Sequence, residues 1–294
     1  MQSIQYIERE AGDIKEEKIP SGNLIKFIYQ NPIGKISLHG LFKRKLLSNI
    51  GGLYLNREAS KNRIETFIRD FDINMEDFIV PKEGFKHFND FFYRKVKPDA
   101  RPIQDGIVSP ADGRVLVFPS ISDTDTFFVK GSNFSLEKFL QDQELAKKYT
   151  KGSMAIIRLA PVDYHRFHFT YSGSANSTTK INGWYYSVNP IALRKNLQIF
   201  LENKREYCII QTKDIGDILH MDIGATMTGS IIQTYDANTN VTKGQEKGYF
   251  AFGGSTIVLL FEPNTIQFSE DLIENTQNGY ETLLKMGETI AIQQ

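Results

Sequence analysis

The sequence predicts an α+β fold in which a helical N-terminal part precedes a β-rich part. Two observations support this prediction. Apolar residues recur three and four positions apart through much of the first hundred residues, which is typical of amphipathic helices. From about residue 107, short apolar runs alternate with turn signals, which is typical of strands. We expect the boundary to fall between residues 1–104 and residues 105–294.

Helical spacing is clearest in three apolar stripes of the first part. They run from Leu38 to Leu53, from Ile64 to Phe71 and from Phe85 to Phe92. The first stripe belongs to residues 23–56, which hold five Lys or Arg and no Asp or Glu. A basic amphipathic stretch of this kind suits a membrane surface, and it suits a packed helix pair with solvated lysines as well. One later helix is expected after Ser135, a suitable N-cap.

Several apolar runs of the second part have the length of strands. They are Val115–Phe118, Thr126–Val129, Met154–Leu159, Cys208–Gln211, Thr228–Gln233 and Thr256–Phe261. Turn signals such as Asp112-Gly113 lie between them. No apolar run is long enough to span a bilayer, and the first twenty residues lack the apolar core of a signal peptide.

The composition narrows the classes of function. The 294 residues carry 35 Lys and Arg against 35 Asp and Glu, so the net charge is zero and nucleic-acid binding is not expected. Hydrophobic residues make up 40% and charged residues 24%, which argues against long disordered stretches. Cys208 is the one cysteine, so neither an intrachain disulfide nor a cysteine-based zinc site is expected.

His165 and His168 are the first candidates for chemistry. They stand three residues apart at the end of Pro161-Val-Asp-Tyr-His-Arg-Phe-His168. On a regular strand this spacing places the two side chains on opposite faces, whereas a turn brings them together. A pair of imidazoles can act as acid and base, and it can bind a metal ion. The sequence shows no third ligand at a spacing typical of metal sites. Two ordinary strand histidines fit the same spacing.

Asp112 and Ser255 are the other candidates. Asp112 precedes a glycine, so it is either a turn residue or a buried carboxylate that orients a histidine. Ser255 follows two glycines and leads into an apolar run. Two glycines permit strained backbone, and a serine hydroxyl held against the preceding carbonyl carbon could attack it. A plain glycine-rich loop is the alternative. The G-x-S-x-G elbow, the dinucleotide loop and the Walker loop are absent from the sequence.

These residues belong to a set of motifs that resembles the pyruvoyl-dependent, self-processing phosphatidylserine decarboxylases. In the family's order, the motifs are Phe88-Asn-Asp-Phe-Phe-Tyr-Arg94, Lys97-Pro-Asp-Ala-Arg-Pro-Ile103, Ser109-Pro-Ala-Asp-Gly113, Ala160-Pro-Val-Asp-Tyr-His-Arg-Phe-His168, Ile223-Gly-Ala-Thr-Met-Thr-Gly-Ser-Ile231, Lys243-Gly-Gln-Glu-Lys-Gly-Tyr-Phe250 and Gly253-Gly-Ser-Thr256. The resemblance covers most of the chain, from about Asn31 to Glu262. Each motif alone is modest, but the whole set in this order is highly specific. The commonest form of the last motif carries Leu where this chain has Gly253, and glycine also occurs there in the family.

The resemblance implies that the chain cleaves itself between Gly254 and Ser255. Ser255 would attack the Gly254 carbonyl carbon and form an ester by an N-to-O acyl shift. His168 would be the base, with Asp112 holding its imidazole. This arrangement is the logic of a serine protease applied to the protein's own backbone.

The resemblance also implies the cofactor and the reaction. Elimination and hydrolysis would convert Ser255 into a covalent pyruvoyl group, release ammonia and leave a large chain, residues 1–254, with a small chain, residues 255–294. The pyruvoyl carbonyl would form a Schiff base with the headgroup amine of phosphatidylserine and accept electrons as carbon dioxide leaves. His165 would support the decarboxylation or the reprotonation that gives phosphatidylethanolamine.

A lipid substrate gives the basic N-terminal part a purpose. The implied partners are phosphatidylserine in an anionic membrane and the two chains of the protein itself. A homodimer is possible as well, and the resemblance does not decide this. We expect peripheral association with the cytoplasmic face of a bacterial cell membrane. Arg166 and Lys243 are candidates for binding the lipid phosphate, and no metal is expected.

Three other functions fit some of the same residues. A lipid esterase would use Ser255, His168 and Asp112 as a conventional triad, and a serine-directed probe would label it. A non-catalytic membrane-surface protein would stay uncleaved and tolerate the loss of Ser255. A pyruvoyl decarboxylase of a soluble amino acid would not require lipid for activity.

Overall fold

A computed structural model describes residues 4–17, 53–123, 135–184, 202–224, 230–251, 253 and 255–294. The apolar stripe before residue 53 and the expected strand at Thr126–Val129 lie outside these residues. The described chain combines helix and sheet and is mostly sheet, with few helices. The expected mixture of the two kinds of element is therefore confirmed.

The elements of the described chain are as follows. The strands are β1 (Gln5–Glu8), β2 (Ile14–Glu16), β3 (Ile107–Val108), β4 (Gly113–Phe118), β5 (Ser153–Leu159), β6 (Arg166–His168), β7 (Gly173–Ala175), β8 (Thr179–Ile181), β9 (Arg205–Gln211), β10 (Asp217–Gly224), β11 (Ile231–Gln233), β12 (Thr239–Val241), β13 (Glu246–Phe250), β14 (Ser255–Phe261), β15 (Ile266–Phe268), β16 (Glu281–Leu284) and β17 (Thr289–Gln293). The helices are α1 (Ile64–Phe71), α2 (Phe88–Phe92), α3 (Leu136–Leu140), α4 (Gln143–Tyr149) and α5 (Glu270–Gln277).

An 11-stranded sheet organises the described residues. Its main path runs β12-β7-β9-β10-β14-β5-β4-β16-β1-β2, and β8 also pairs with β9. The pair of β1 with β16 is parallel, whereas β14 is antiparallel to both of its neighbours, β10 and β5. Two three-stranded sheets, β11-β13-β6 and β15-β17-β3, contribute apolar side chains to the core on one face of the large sheet.

Strand β14 runs through the middle of the large sheet and is buried on both faces. Because side chains alternate along a strand, Val258 and Leu260 join one apolar cluster together with α3 and α4. Ile257 and Leu259 join the cluster on the other face, where Phe250 of β13 also packs. Burial on both faces explains why the sequence of this strand is a continuous apolar run.

The expected strands that fall on described residues are confirmed. Val115–Phe118 lies in β4, Met154–Leu159 in β5, Cys208–Gln211 in β9 and Thr256–Phe261 in β14, and the described end of Thr228–Gln233 forms β11. β4, β5, β9 and β14 each begin one to three residues before the expected apolar run, because backbone pairing does not require an apolar side chain at the ends.

The helices agree with the apolar stripes in part. The stripe from Ile64 to Phe71 is α1, whereas the Phe85–Phe92 stripe is helical only over α2. Ser135 caps α3 as expected, since its hydroxyl accepts a hydrogen bond from the Lys138 amide. Among the described residues, no helix has both the length and the hydrophobicity needed to cross a membrane.

Two strands in the N-terminal part were not predicted. Strands β1 and β2 extend the edge of the large sheet beyond β16, and neither shows a clear apolar alternation. Glu17 follows β2, and its buried side chain pairs with Arg158 of β5. The expected helical character of residues 1–104 is therefore not confirmed, since this end contributes strands and residues 18–52 lie outside the described chain.

Candidate active site

Ser255 is the first residue of β14 and is completely buried. Its backbone is in register with Gly224 of β10 on one side and Leu159 of β5 on the other. The hydroxyl oxygen Oγ finds no hydrogen-bond partner among the described residues. A buried hydroxyl without a partner is costly, and in native proteins such a group calls for an explanation such as a catalytic role.

The backbone that leads to Ser255 is unusual at Gly253. This buried glycine has a φ angle of 141°, which side chains rarely allow. Glycine is therefore the residue that suits the local backbone at this position. Residues 252 and 254 lie outside the described residues.

His165 lies completely buried in the loop between β5 and β6. Its Nδ1 lies 3.0 Å from the carbonyl oxygen of Asp163, which can only accept, so Nδ1 carries the proton and Nε2 keeps a lone pair. Nε2 is buried with no hydrogen-bond partner among the described residues. Burial lowers the pKa of His165 to about 3, against the opposing effects of the Asp163 and Gly253 carbonyls. His165 is therefore a neutral base beside the backbone that precedes Ser255.

The ring of His165 is held in place by its surroundings. The Phe92 ring of α2 packs against it with 3.9 Å between the ring centroids. The Phe250 amide at the end of β13 donates to the His165 carbonyl at 2.9 Å. The imidazole is thus fixed between α2 and the strand that leads to the Gly-Gly-Ser motif.

His168 ends β6 and has a partner at each ring nitrogen. Nδ1 donates to the Gly244 carbonyl at 3.0 Å, so Nε2 accepts from the Tyr164 hydroxyl at 3.0 Å. Burial lowers the pKa of His168, and the charges of Glu246 and Asp112 raise it by smaller amounts. His168 is therefore also held as a neutral ring with its lone pair on Nε2.

Asp112 is held by a buried arginine. Nε and Nη2 of Arg101 donate to the two carboxylate oxygens at 2.9 and 2.7 Å, and the Met286 amide donates to Oδ1 at 2.8 Å. Within the described residues, Asp112 makes no hydrogen bond to His168. The carboxylate acts on His168 through its charge, because it raises the pKa of that ring.

The structure thus brings the predicted residues together only in part. His165 lies in the loop that leads into β6, and His168 ends that strand. The charge of Asp112 acts on His168. Ser255, His168 and Asp112 are not joined by hydrogen bonds in the described chain. Sequence reasoning missed Tyr164 and Arg101 as the partners of the expected residues. Both stand inside the motifs noted above, which is the signal that could have found them.

A buried lysine cluster lies on the same face of the sheet as Ser255. It consists of the fully buried residues His220, Asp222 and Lys247 and the half-buried Gln233. Lys247 donates to Asp222 Oδ2 and, at 3.0 Å, to Gln233 Oε1. Nε2 of His220 lies 3.1 Å from Asp222 Oδ1. Burial raises the pKa of Asp222, but the charge of Lys247 outweighs that effect, so the pKa is lowered.

A buried arginine cluster lies on the opposite face. It consists of Glu17, Arg114, Arg158, Asp163 and Glu281. Arg158 donates to Glu17 at 2.5 Å and to Glu281 at 2.6 Å, and Arg114 pairs with Asp163. Asp163 also accepts from the Ala160 amide at 2.7 Å, so the cluster holds the loop that carries His165.

The two expected phosphate-binding residues are already engaged. Nη1 of Arg166 donates to Glu246 at 2.8 Å, and Nζ of Lys243 donates to the Gln104 carbonyl at 2.7 Å. Within the described ranges, no three His, Cys, Asp or Glu side chains are arranged to hold a metal ion.

The family follows from comparison with known proteins. A family model described as phosphatidylserine decarboxylase matches residues 88–292, which include both histidines, Asp112 and Ser255. This match covers more than half of the chain. The chain belongs to the phosphatidylserine decarboxylase family.

Curated relatives agree with this assignment over nearly the whole chain. A phosphatidylserine decarboxylase proenzyme of Fusobacterium nucleatum subsp. nucleatum is 51% identical over 290 residues, covering 98% of this chain and 97% of the relative. A protein of the same name from Clostridium novyi is 49% identical over 277 residues, covering 93% and 94%. One from Clostridium botulinum (strain Langeland) is 45% identical over 290 residues, covering 98% of each chain.

Proposed function

We propose that this chain is a self-processing phosphatidylserine decarboxylase that converts phosphatidylserine into phosphatidylethanolamine and carbon dioxide. The observation that carries the proposal is the buried hydroxyl of Ser255, which has no hydrogen-bond partner among the described residues and begins a core strand. The relatives named as proenzymes support a maturation step.

The maturation step uses the protein's own residues. Oγ of Ser255 attacks the carbonyl carbon of Gly254 while His168 takes the hydroxyl proton. The peptide C–N bond then breaks, the Ser255 nitrogen takes up that proton and becomes a free amine, and an ester joins Gly254 to the Ser255 side chain. Elimination across Cα and Cβ of residue 255 then breaks the ester and frees the Gly254 carboxylate. Hydrolysis of the resulting enamine releases ammonia and leaves the pyruvoyl group.

The neutral state of His168 supports its role as the base. Its Nε2 lone pair is occupied by the Tyr164 hydroxyl, so direct proton transfer from Ser255 requires that this hydrogen bond be exchanged. Asp112 assists through its negative charge, which favours the imidazolium that forms. Arg101 and the Met286 amide keep that carboxylate in place.

The pyruvoyl group supplies the electron sink for the loss of carbon dioxide. Ser255 is buried, so a group formed from it would lie where water is excluded and electrostatic interactions are strong. His165 supports the decarboxylation or the reprotonation, because its neutral ring carries a free Nε2 lone pair beside Gly253. These are the two roles that suit an imidazole at this place.

Cleavage leaves a large chain, residues 1–254, and a small chain, residues 255–294. Strand β14 of the small chain pairs with β10 and β5 of the large chain over its whole length. Its apolar side chains fill both core clusters. These contacts support a mature enzyme in which the two chains stay together.

The substrate places the enzyme at a membrane. We propose that residues 1–104 associate peripherally with anionic lipid on the cytoplasmic face of a bacterial cell membrane. The basic composition of residues 23–56 supports this placement. A homodimer is compatible with the proposal and is not required by it.

The test is the intact mass of the purified protein under denaturing conditions. We expect two fragments, and the small one should be about 17 Da lighter than hydrolysis before Ser255 would give, because serine becomes pyruvoyl. The Ser255→Ala variant should stay intact and inactive. A single uncleaved chain from the unmodified sequence, with no phosphatidylserine turnover, would refute the proposal.

A further inference from the structure

Arg94 follows α2 and carries a guanidinium that is almost completely buried, with 3% of the residue exposed. The guanidinium carbon lies 4.1 Å from the centroid of the Phe78 ring and 4.8 Å from that of the Phe91 ring. These rings fix the plane of the guanidinium. They attract the cation weakly and supply no oxygen acceptor for its N–H groups.

The other buried arginines with described ion pairs differ from Arg94. Arg101 pairs with Asp77 and Asp112, Arg114 with Asp163, Arg158 with Glu17 and Glu281, and Arg166 with Glu246. Arg94 reaches no carboxylate in the part of the chain that the structure describes. Its donors meet only backbone carbonyls, those of Val162 at 3.1 Å and Phe91 at 3.4 Å. Its Nε is buried with no partner there.

The nearby carboxylates do not neutralise Arg94. Asp112 and Asp163 raise its pKa through their charges, but Arg101 and Arg114 hold those carboxylates in direct ion pairs. Burial lowers the pKa of Arg94 to about 10, so the side chain is still a cation at neutral pH. A buried cation is stabilised by an anion or by full hydrogen bonding, and the described residues give Arg94 neither.

The position of Arg94 relates it to the candidate active site. The Val162 carbonyl that it contacts is one residue before Asp163, whose carbonyl holds His165. Phe92, two residues before Arg94, packs against the His165 ring. The charge of Arg94 is among the groups that act on His165. The unpaired cation therefore lies within reach of the same loop.

We propose that Arg94 binds an oxyanion of the serine phospholipid headgroup, an inference that rests on the proposed decarboxylase function. Arginine is suited to this task because its planar fork can donate two hydrogen bonds to one phosphate or carboxylate. The headgroup offers both anions. The phosphate diester is the favoured source, since it keeps its charge throughout the reaction. Binding the carboxylate would stabilise the ground state, because the negative charge moves from the carboxylate to the rest of the substrate as neutral carbon dioxide leaves.

The experiment compares binding and turnover in Arg94→Gln, Arg94→Lys and wild type. Denaturing mass spectrometry first establishes that each variant is processed. KM and kcat are then measured with dihexanoyl phosphatidylserine, a soluble substrate. We expect KM to rise about tenfold or more in Arg94→Gln and less in Arg94→Lys, because the lysine keeps the charge without the fork. The exposed residue Arg69 provides the control Arg69→Gln, which should leave KM unchanged.

Inhibition by dihexanoyl phosphatidylethanolamine identifies the anion, because this product has the phosphate but no carboxylate. If Arg94 binds the phosphate, the inhibition constant of dihexanoyl phosphatidylethanolamine rises in Arg94→Gln by the same factor as KM. If Arg94 binds the carboxylate, KM rises while the inhibition constant does not change. Should Arg94→Gln fail to fold or to be processed, Arg94→Lys supplies the same two constants.

A KM within twofold of wild type in the processed variants would overturn the inference, as would a loss confined to kcat. The second result would make Arg94 a residue that positions His165. Failure of the proposed function gives a different pattern, in which the wild-type protein itself shows no pyruvoyl fragment and no turnover. In that case the inference falls with it.

Discussion

The two buried charge clusters flank the start of β14 on opposite faces of the large sheet. The lysine cluster shares a face with Ser255, since Asp222 stands opposite Ile257 in the β10–β14 ladder. The arginine cluster lies on the other face, since Arg158 stands opposite Thr256. The two clusters differ in how far apart in the sequence their ion-paired residues are. Lys247 and Asp222 are 25 residues apart in the chain, whereas Arg158 bridges residues 141 and 123 positions away.

This difference in sequence separation indicates that the two clusters stabilise different parts of the fold. The lysine cluster ties together the neighbouring strands β10, β11 and β13 next to the bond that we expect to be cleaved. The arginine cluster fastens the N-terminal segment, the β16 strand and the loop of His165 to the sheet. The lysine cluster has one carboxylate for its cation, and the arginine cluster has three for two cations. Loss of one carboxylate should therefore matter more in the lysine cluster.

The largest expected effect is that of Asp222→Asn. The change leaves the Lys247 ammonium buried without a counter-charge, which typically costs about 3–5 kcal/mol. Urea unfolding of an uncleaved Ser255→Ala background measures the free energy of unfolding on an intact chain. The double variant Asp222→Asn/Lys247→Met is the control, because removing both charges should recover much of the loss. A cost below about 1 kcal/mol for Asp222→Asn would show that the pair is not a buried ion pair.

A smaller effect is expected for Glu17→Gln in the same background. Arg158 keeps Glu281 and Arg114 keeps Asp163, so the loss of this carboxylate should cost only about 1–2 kcal/mol. The exposed neighbour Glu16 gives the control Glu16→Gln, which should change the free energy of unfolding by less than about 0.5 kcal/mol. If Glu17→Gln matched Asp222→Asn in cost, the distinction between a redundant and a non-redundant cluster would be wrong.

The smallest expected effect is a change of pH dependence in His220→Gln. Burial and the Lys247 charge lower the pKa of His220. The unfolded chain therefore binds the proton first as pH falls, and the stability contributed by the neutral ring is lost below about pH 6.5. Between pH 6.5 and 5.5 the free energy of unfolding of the His220→Gln variant should fall less than that of its parent, by at most about 1 kcal/mol.

The comparison of the two clusters sharpens this test. The arginine cluster contains no histidine, so Glu17→Gln should keep the parent's slope over the same pH range. Unfolding midpoints in urea at several pH values measure both slopes. Equal slopes for His220→Gln and the parent would mean that His220 is not a buried neutral ring that titrates on unfolding.

The central strands could be predicted from the sequence, and the edge strands could not. β14 and β5 are buried on both faces, so their apolar runs are continuous. β2 is the edge strand and β1 lies next to it, and the side chains of both are exposed or half-buried. β1 pairs with β16, which lies near the other end of the chain, since Tyr6 is in register with Glu281. Nothing local in their sequence marks them as strands.

The identities of the candidate residues could be predicted, but their contacts could not. Motif order pointed to Ser255, the histidine pair and Asp112. The partners of Asp112 are Arg101 and the Met286 amide, the latter 174 residues away in the chain. Lys247 was part of a motif and was not expected inside the core, because lysine is almost never fully buried unless it is paired. Long-range pairing of this kind leaves no periodic signal.

The arrangement of the strands has a consequence for the mature protein. The segment after residue 254 contributes β14 between β10 and β5, and it contributes β16 between β4 and β1. After cleavage at Gly254, the two fragments would therefore alternate within one sheet. Neither could leave without dismantling it. Folding of the intact chain is unimolecular, whereas refolding of the cleaved pair would be bimolecular. Its melting temperature should accordingly rise with protein concentration, a dependence that the uncleaved Ser255→Ala monomer would lack.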